Sequence, residues 1–170
     1  MGELRFPVGI RNNEDKLFLY EYLLKNETGT VAFSNEKLYG YLVREGSATR
    51  STWNGALDIV TIADRIREDT KVYHPEWDGI TQNACLFSRL SVMKSIIQSE
   101  QSAHGEKTYN ELRKEVLAYG WPKTGGLRLK AEYLAARLGK PVYTILTETY
   151  YKVFSDQRRF RLNEKKTRQG

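Results

Sequence analysis

The sequence predicts an α+β fold in which a run of helices precedes a small, mostly antiparallel sheet. Apolar residues recur at helical spacing through much of the chain before Gly139, a residue type that commonly ends helices. Three short segments rich in β-branched and aromatic residues follow it, at 142–146, 150–154 and 159–162. We therefore expect these segments to pair as strands and the later helices to pack against them.

The N-terminal region is predicted to be mainly helical. Residues 13–25 begin with Asn13, which can cap a helix, and they carry acids in the first turn and a repeating apolar face. Two further helices are predicted at 34–43 and 51–67. Short strands are predicted at 30–33 and 71–74.

This order of elements is also how a winged-helix DNA-binding module begins. The helix at 51–67 would then be the recognition helix, but it is acidic or neutral along much of its length. Because Lys and Arg contacts to phosphate dominate nucleic-acid affinity, this segment does not favour a nucleic-acid partner. An alternative stays open, in which residues 28–68 and the basic C-terminal residues bind nucleic acid.

Three more helices are predicted in the second half of the chain. The first follows a polar loop at 77–84 and continues to about Ser99, which places Cys85 in its first turn. The other two, at 109–119 and 127–138, show strong apolar periodicity. These helices would cover the predicted sheet.

Composition limits the class of protein. With 170 residues, 40% of them hydrophobic, the chain has the size of one domain, or of a compact domain with a helical appendage. A single cysteine excludes an internal disulfide and a cysteine-based zinc cluster, and it indicates a reducing compartment. No long apolar run or signal peptide is visible, so we expect a cytoplasmic protein without membrane contact.

The positive charge is concentrated near the C-terminus. Residues 156–170 contain six Lys or Arg and two acids, which supply +4 of the net charge of +6. Such a segment can attract nucleic acid or an acidic protein surface. A solvated terminus is the alternative interpretation.

Cys85 is the candidate nucleophile. In the first turn of a helix, unpaired N–H groups and the helix dipole favour a thiolate. A catalytic thiol also needs a base, and His74 is favoured because strand alternation would place Glu76 beside it to orient the imidazole. His104, in a polar loop, is the alternative base, and a buried, inert cysteine is the competing interpretation. The chain shows no metal-ligand spacing, P-loop or Rossmann glycine pattern, so we predict neither metal nor cofactor.

Three segments have the order and spacing of motifs that occur together in one protein family. Residues 83–91 have the sequence Asn-Ala-Cys-Leu-Phe-Ser-Arg-Leu-Ser, and residues 112–116 have the sequence Leu-Arg-Lys-Glu-Val. Residues 121–145 contain a Trp, a Gly-Gly pair, Ala-x-x-Leu-Ala and Gly-Lys-Pro-Val-Tyr. Together they resemble the nucleophile helix, the next helix and the first sheet strand of the ovarian tumour (OTU) family of cysteine proteases, which remove ubiquitin from proteins.

The resemblance implies a papain-like OTU-type fold, with a small mostly antiparallel sheet flanked by helices and an N-terminal helical region. It implies attack by Cys85 on the scissile carbonyl, with His74 as the base and Glu76 as its orienting partner. The oxyanion would be held by a loop made of three residues, namely Gln82, Asn83 and Ala84.

Two departures from the family pattern affect this site. Gln82 and Asn83 stand where the family usually has Asp and Gly, and no histidine follows His104, although the family places its catalytic histidine after the last strand. A truncated domain, a non-catalytic relative and a circularly permuted domain are three explanations. We favour circular permutation, in which segment 71–77 supplies the missing strand with its His-x-acid signature.

We therefore predict a cysteine isopeptidase that acts on ubiquitin, polyubiquitin chains or a ubiquitin-like modifier and needs no small-molecule cofactor. Residues 1–70 would form an accessory arm that binds substrate, 71–164 the catalytic core and 165–170 a basic tail. By analogy, we expect a bacterial effector or viral protein that acts in a host cytosol. A non-catalytic OTU-like protein-binding module is the alternative.

Overall fold

Helices make up nearly all the regular structure. The computed structural model describes residues 4–26, 29–36, 53–99 and 102–167 of the chain. These contain six α-helices: α1 Glu14–Lys25, α2 Asp58–Tyr73, α3 Asp78–Gln98, α4 Glu106–Tyr119, α5 Leu127–Leu138 and α6 Lys140–Thr167. Three short 3₁₀ helices accompany them, at Trp53–Leu57, Pro75–Trp77 and Ser102–Gly105.

The predicted α+β, papain-like fold is wrong, because the described residues contain helices and no strand. The three segments expected to form the sheet all lie within α6. Segment 71–74 forms the last turn of α2 and the residue after it, where the His74 N–H donates to the Thr70 carbonyl over 2.8 Å. Segment 30–33 has no regular structure, and most of the helix predicted at 34–43 lies outside the described residues.

The β-branched residues of 142–154 misled the prediction because a short apolar run does not distinguish a strand from a helix. Tyr143, Thr147 and Tyr150 recur at helical spacing in that segment. Tyr143 and Thr147 are buried and Tyr150 is half-buried, so together they form the inner face of α6. Burial of this face outweighs the local β preference of Val142 and Ile145.

The chain divides into two compact units, residues 1–88 and 89–170, and the division falls within α3. In the N-terminal unit, the loop before α1 is tied to the start of α2. The Asp58 carboxylate accepts hydrogen bonds from the backbone N–H groups of Arg11 and Asn12, over 2.7 and 3.2 Å. The Asn12 side chain donates to the Gly55 carbonyl over 2.6 Å.

The C-terminal unit contains an antiparallel hairpin made of α5 and α6. The two helices are separated by Gly139 alone, whose φ of 119° and ψ of 171° suit glycine and turn the chain sharply. Arg128 near the start of α5 donates to the Tyr150 hydroxyl of α6 over 2.8 Å. Since these two residues are equally far from Gly139 in sequence, the contact fixes the antiparallel pairing.

Tyr143 fastens the hairpin to the rest of the C-terminal unit. Its side chain is fully buried, and its hydroxyl donates to the Leu90 carbonyl over 2.8 Å. The Tyr143 ring lies 6.4 Å from the ring of Tyr109 on α4, centroid to centroid. Within the described part of the chain, no helix has both the length and the apolar character needed to cross a membrane.

Candidate functional site

Cys85 lies in the interior of α3, seven residues after Asp78 begins the helix. Its side chain is 0% exposed, and its Sγ donates to the Ala63 carbonyl of α2 over 3.4 Å. Only the first four N–H groups of a helix lack an intrahelical acceptor, so Cys85 is too far along α3 to use them. The prediction that it occupies a first turn is wrong, and its surroundings are those of a packed core residue.

Gln82, Asn83 and Ala84 do not form a loop. They belong to α3, at positions where a helix directs each backbone N–H to the carbonyl four residues earlier. An oxyanion hole needs N–H groups that point at the substrate. In this conformation the backbone N–H groups of residues 82–84 bond within α3, so they do not point at a substrate as the predicted oxyanion hole requires.

The structure brings His74, Glu76 and Trp77 together. His74 Nδ1 lies 3.3 Å from Glu76 Oε1, and the imidazole stacks on the Trp77 indole with 4.2 Å between ring centroids. These three residues precede α3, whereas Cys85 lies about 10 Å along the axis of α3 from its first residue, Asp78. His104 belongs to the C-terminal unit, whereas Cys85 belongs to the N-terminal unit.

A second cluster, in the C-terminal unit, was not found from the sequence. The Glu132 carboxylate of α5 is only 8% exposed and contacts two cations. Lys94 Nζ donates to both of its oxygens over 3.0 Å, and Arg128 Nε donates to one of them over 2.9 Å. The hydrogen bond with Glu132 raises the pKa of Arg128, so its guanidinium stays charged. Glu132 holds both cations in place.

This cluster forms one wall of a cavity of about 340 Å³ between α3, α5 and α6. The lining residues are Lys94, Arg128, Ala131, Glu132, Leu146, Thr147 and Tyr150. The Arg128 guanidinium also lies over the Tyr150 ring, 4.3 Å from its centroid. The spacing of Arg128 and Glu132 on one helix face is visible in the sequence. Lys94, far away in sequence, gives no such signal.

The two units carry opposite net charges. Residues 1–88 contain 10 Lys or Arg and 13 Asp or Glu, which gives −3. Residues 89–170 contain 17 Lys or Arg and 8 Asp or Glu, which gives +9. The positive charge of the protein therefore belongs to the C-terminal unit.

The described residues contain no group of three His, Cys, Asp or Glu side chains that could hold a metal ion. Comparison with known proteins gives no family model, no curated protein and no solved structure that matches this chain. Its function must therefore be inferred from its own residues.

Proposed function

We propose that this protein binds nucleic acid through its C-terminal unit, residues 89–170. The observation that carries the proposal is the charge partition, −3 in one unit and +9 in the other. Lys and Arg contacts to phosphate supply most of the affinity of nucleic-acid binding proteins, and a basic domain is their electrostatic signature. The sequence argument against a nucleic-acid partner rested on segment 51–67, which belongs to the other unit.

Basic side chains recur on single helix faces of this unit. Lys107 and Lys114 are exposed on one side of α4, about 10 Å apart, and Glu111 lies between them with its Oε1 3.9 Å from Lys107 Nζ. Lys130 and Arg137 have the same spacing on α5, where Arg137 is exposed and Lys130 half-buried. Pairs of cations at this spacing can contact successive phosphates along a strand.

Exposed aromatic residues accompany the cations. Trp121 is 53% exposed and lies two residues before Lys123 in the sequence, and Tyr151 is 63% exposed and directly precedes Lys152. The Trp121 ring meets the ring of Tyr133 edge-on, with 5.7 Å between centroids, which fixes its orientation. Nucleic-acid bases stack on such rings, and aromatic side chains within a basic surface are typical of single-strand binding. We therefore expect a preference for single-stranded nucleic acid.

The test is fluorescence anisotropy with labelled single-stranded and duplex oligonucleotides over a series of salt concentrations. Affinity should fall linearly with salt on logarithmic axes, with a slope of roughly 0.7 for each phosphate of a single strand that is neutralised. The double variant Lys130→Gln, Arg137→Gln removes two phosphate contacts, so it should weaken binding and reduce that slope by about 1.4. Salt-independent affinity, or no binding, would contradict the proposal.

A matched control removes two positive charges from the N-terminal unit. Lys16 and Lys71 are exposed, and the double variant Lys16→Gln, Lys71→Gln changes the net charge by the same amount. It should leave the salt slope unchanged, because these lysines lie outside the proposed surface. An equal loss of affinity in both double variants would show a response to total charge, and the assignment to residues 89–170 would then fail.

A cysteine isopeptidase without the OTU-type fold is a second candidate, favoured by the contact between His74 and Glu76. In that proposal Glu76 orients the imidazole, and α3 must open locally before Cys85 can meet a substrate. A ubiquitin probe with a C-terminal electrophile tests it. Labelling that is lost in Cys85→Ala and His74→Ala but kept in His104→Ala would support it, and an unlabelled folded protein would exclude it.

A further inference from the structure

We infer that the cavity between α3, α5 and α6 binds a small amphipathic anion, with an acidic head group on a short apolar body. The inference rests on the Lys94–Glu132–Arg128 cluster and on the apolar remainder of the cavity wall. It does not depend on nucleic-acid binding. The cavity is too small for a polymer, and the charged residues that line it are not those proposed to contact nucleic acid.

The head group is selected by the charge of the cluster. Lys94 and Arg128 together carry two positive charges against the single negative charge of Glu132, so among the described side chains one positive charge remains uncompensated beside the cavity. Glu132 occupies two of the three N–H donors of Lys94. Arg128 directs Nε to Glu132 and Nη1 to the Tyr150 hydroxyl. A third Lys94 donor and the Nη2 group of Arg128 can then bind an acidic oxygen.

The cluster is already arranged for such a ligand. Lys94 is 16% exposed and Glu132 is 8% exposed, so surrounding protein weakens the screening of their charges by water. The ring of Tyr150 covers one face of the Arg128 guanidinium. Because both cations are held by Glu132 before a ligand arrives, little side-chain freedom remains to be lost on binding.

The apolar body is selected by the rest of the wall. Ala131 on α5 and Leu146 on α6 line the cavity together with the ring of Tyr150. At about 340 Å³, the cavity is near the lower end of the range for small-molecule sites. An inorganic anion would leave these apolar groups in contact with water. A neutral apolar molecule would leave the positive charge of the cluster without a partner.

Isothermal titration calorimetry of the full chain with octanoate tests the inference, with octanol and inorganic phosphate as matched probes that each lack one feature. We expect octanoate to bind at least about tenfold more tightly than either, since it alone satisfies both the charge and the apolar wall. Equal affinity for octanol would overturn the head-group assignment. Equal affinity for phosphate, or no octanoate binding, would overturn the site.

Two substitutions each remove one cation of the cluster. Lys94→Met leaves Arg128 paired with Glu132 and no uncompensated charge, so it should weaken octanoate binding at least about tenfold. Arg128→Met leaves Lys94 paired with Glu132 in the same way and should also weaken binding, whereas a purely apolar site would respond to neither substitution. Circular dichroism confirms that each variant is folded. Octanoate affinity that ignores both substitutions would overturn the inference.

A third substitution fills the cavity without touching an ion pair. Ala131→Leu should abolish octanoate binding, whereas Ala118→Leu, at an exposed position of α4 outside the cavity, should leave it unchanged. Ala131→Leu should also leave oligonucleotide affinity unchanged, so this inference and the nucleic-acid proposal can fail separately. Full octanoate binding by Ala131→Leu would place the ligand elsewhere.

Discussion

The N-terminal and C-terminal units consist of the same kind of element but differ in charge and in core. Among the described residues, six buried hydrophobic residues lie in the N-terminal unit and eleven in the C-terminal unit. The C-terminal unit is also the basic one, at +9 against −3. In the C-terminal unit, burial of apolar surface offsets the repulsion among like charges.

The two units also use their acidic side chains differently. In the N-terminal unit, Asp58 accepts backbone hydrogen bonds and joins a loop to a helix. In the C-terminal unit, Glu132 holds two cations beside a cavity. In the first arrangement, both backbone donors bind the Asp58 carboxylate. In the second, Lys94 and Arg128 keep donors that a ligand can use. The groups available to bind a ligand therefore lie in the C-terminal unit, whereas Cys85, the residue that the sequence singles out, lies in the N-terminal unit.

The largest expected effect is in the core of the C-terminal unit. Tyr143→Ala should lower the free energy of unfolding by about 3–5 kcal/mol, because it leaves a cavity and removes the hydrogen bond to Leu90. Urea unfolding followed by circular dichroism measures the loss. Tyr151→Ala, at an exposed position of the same helix, should change stability by less than about 0.5 kcal/mol. Similar losses in both variants would contradict the packing described for α6.

The turn of the hairpin should give the next largest effect. At Gly139, φ of 119° and ψ of 171° lie in a region open almost only to glycine, so Gly139→Ala should cost on the order of 1–3 kcal/mol. Gly126→Ala is the control, since Gly126 has a φ of −76° and open space around its Cα. Thermal unfolding of the two variants should differ accordingly. A harmless Gly139→Ala substitution would show that α5 and α6 are joined differently.

A smaller effect is expected at alkaline pH. Burial raises the pKa of Tyr109 to about 12 and also raises the pKa of Tyr143. Unfolded tyrosine titrates near pH 10, so between about pH 10 and about pH 12 the unfolded chain loses protons that the folded unit keeps. Stability present below that window is lost as pH rises through it. Urea midpoints at about pH 8 and about pH 11 measure the loss.

Tyr109→Phe sharpens the alkaline experiment. The Tyr109 hydroxyl is buried and has no hydrogen-bond partner among the described residues, so its removal should cost little stability at neutral pH. The variant should lose less stability than the wild type between the two pH values. An unchanged alkaline loss would assign the effect to other groups.

Several helices predicted from the sequence are correct, whereas the predicted sheet is absent from the described residues. The predicted helices at 13–25 and 109–119 are confirmed as α1 and α4, and 127–138 is confirmed with its end before Gly139. Each has a strong helical repeat of apolar residues, which is the most reliable signal of secondary structure in a sequence. Segment 142–154 has both a β-branched composition and helical spacing, and only tertiary burial of Tyr143 and its neighbours decides between them.

The candidate sites show the same limit. The contact between His74 and Glu76 joins residues close in sequence, so short-range reasoning could suggest it. The burial of Cys85 against Ala63 depends on how α2 and α3 pack, which residue spacing does not reveal. Likewise, Lys94 meets Glu132 only because α3 and α5 are neighbours in the folded unit.

Photo-crosslinking tests most directly whether the basic C-terminal unit binds nucleic acid. The full chain would be irradiated with a photoreactive single-stranded oligonucleotide at low and high salt, and the crosslinked peptides identified by mass spectrometry. The charge partition predicts crosslinks within residues 89–170, near Trp121 and Tyr151, which disappear at high salt. Crosslinks confined to residues 1–88, or none at low salt, would contradict it.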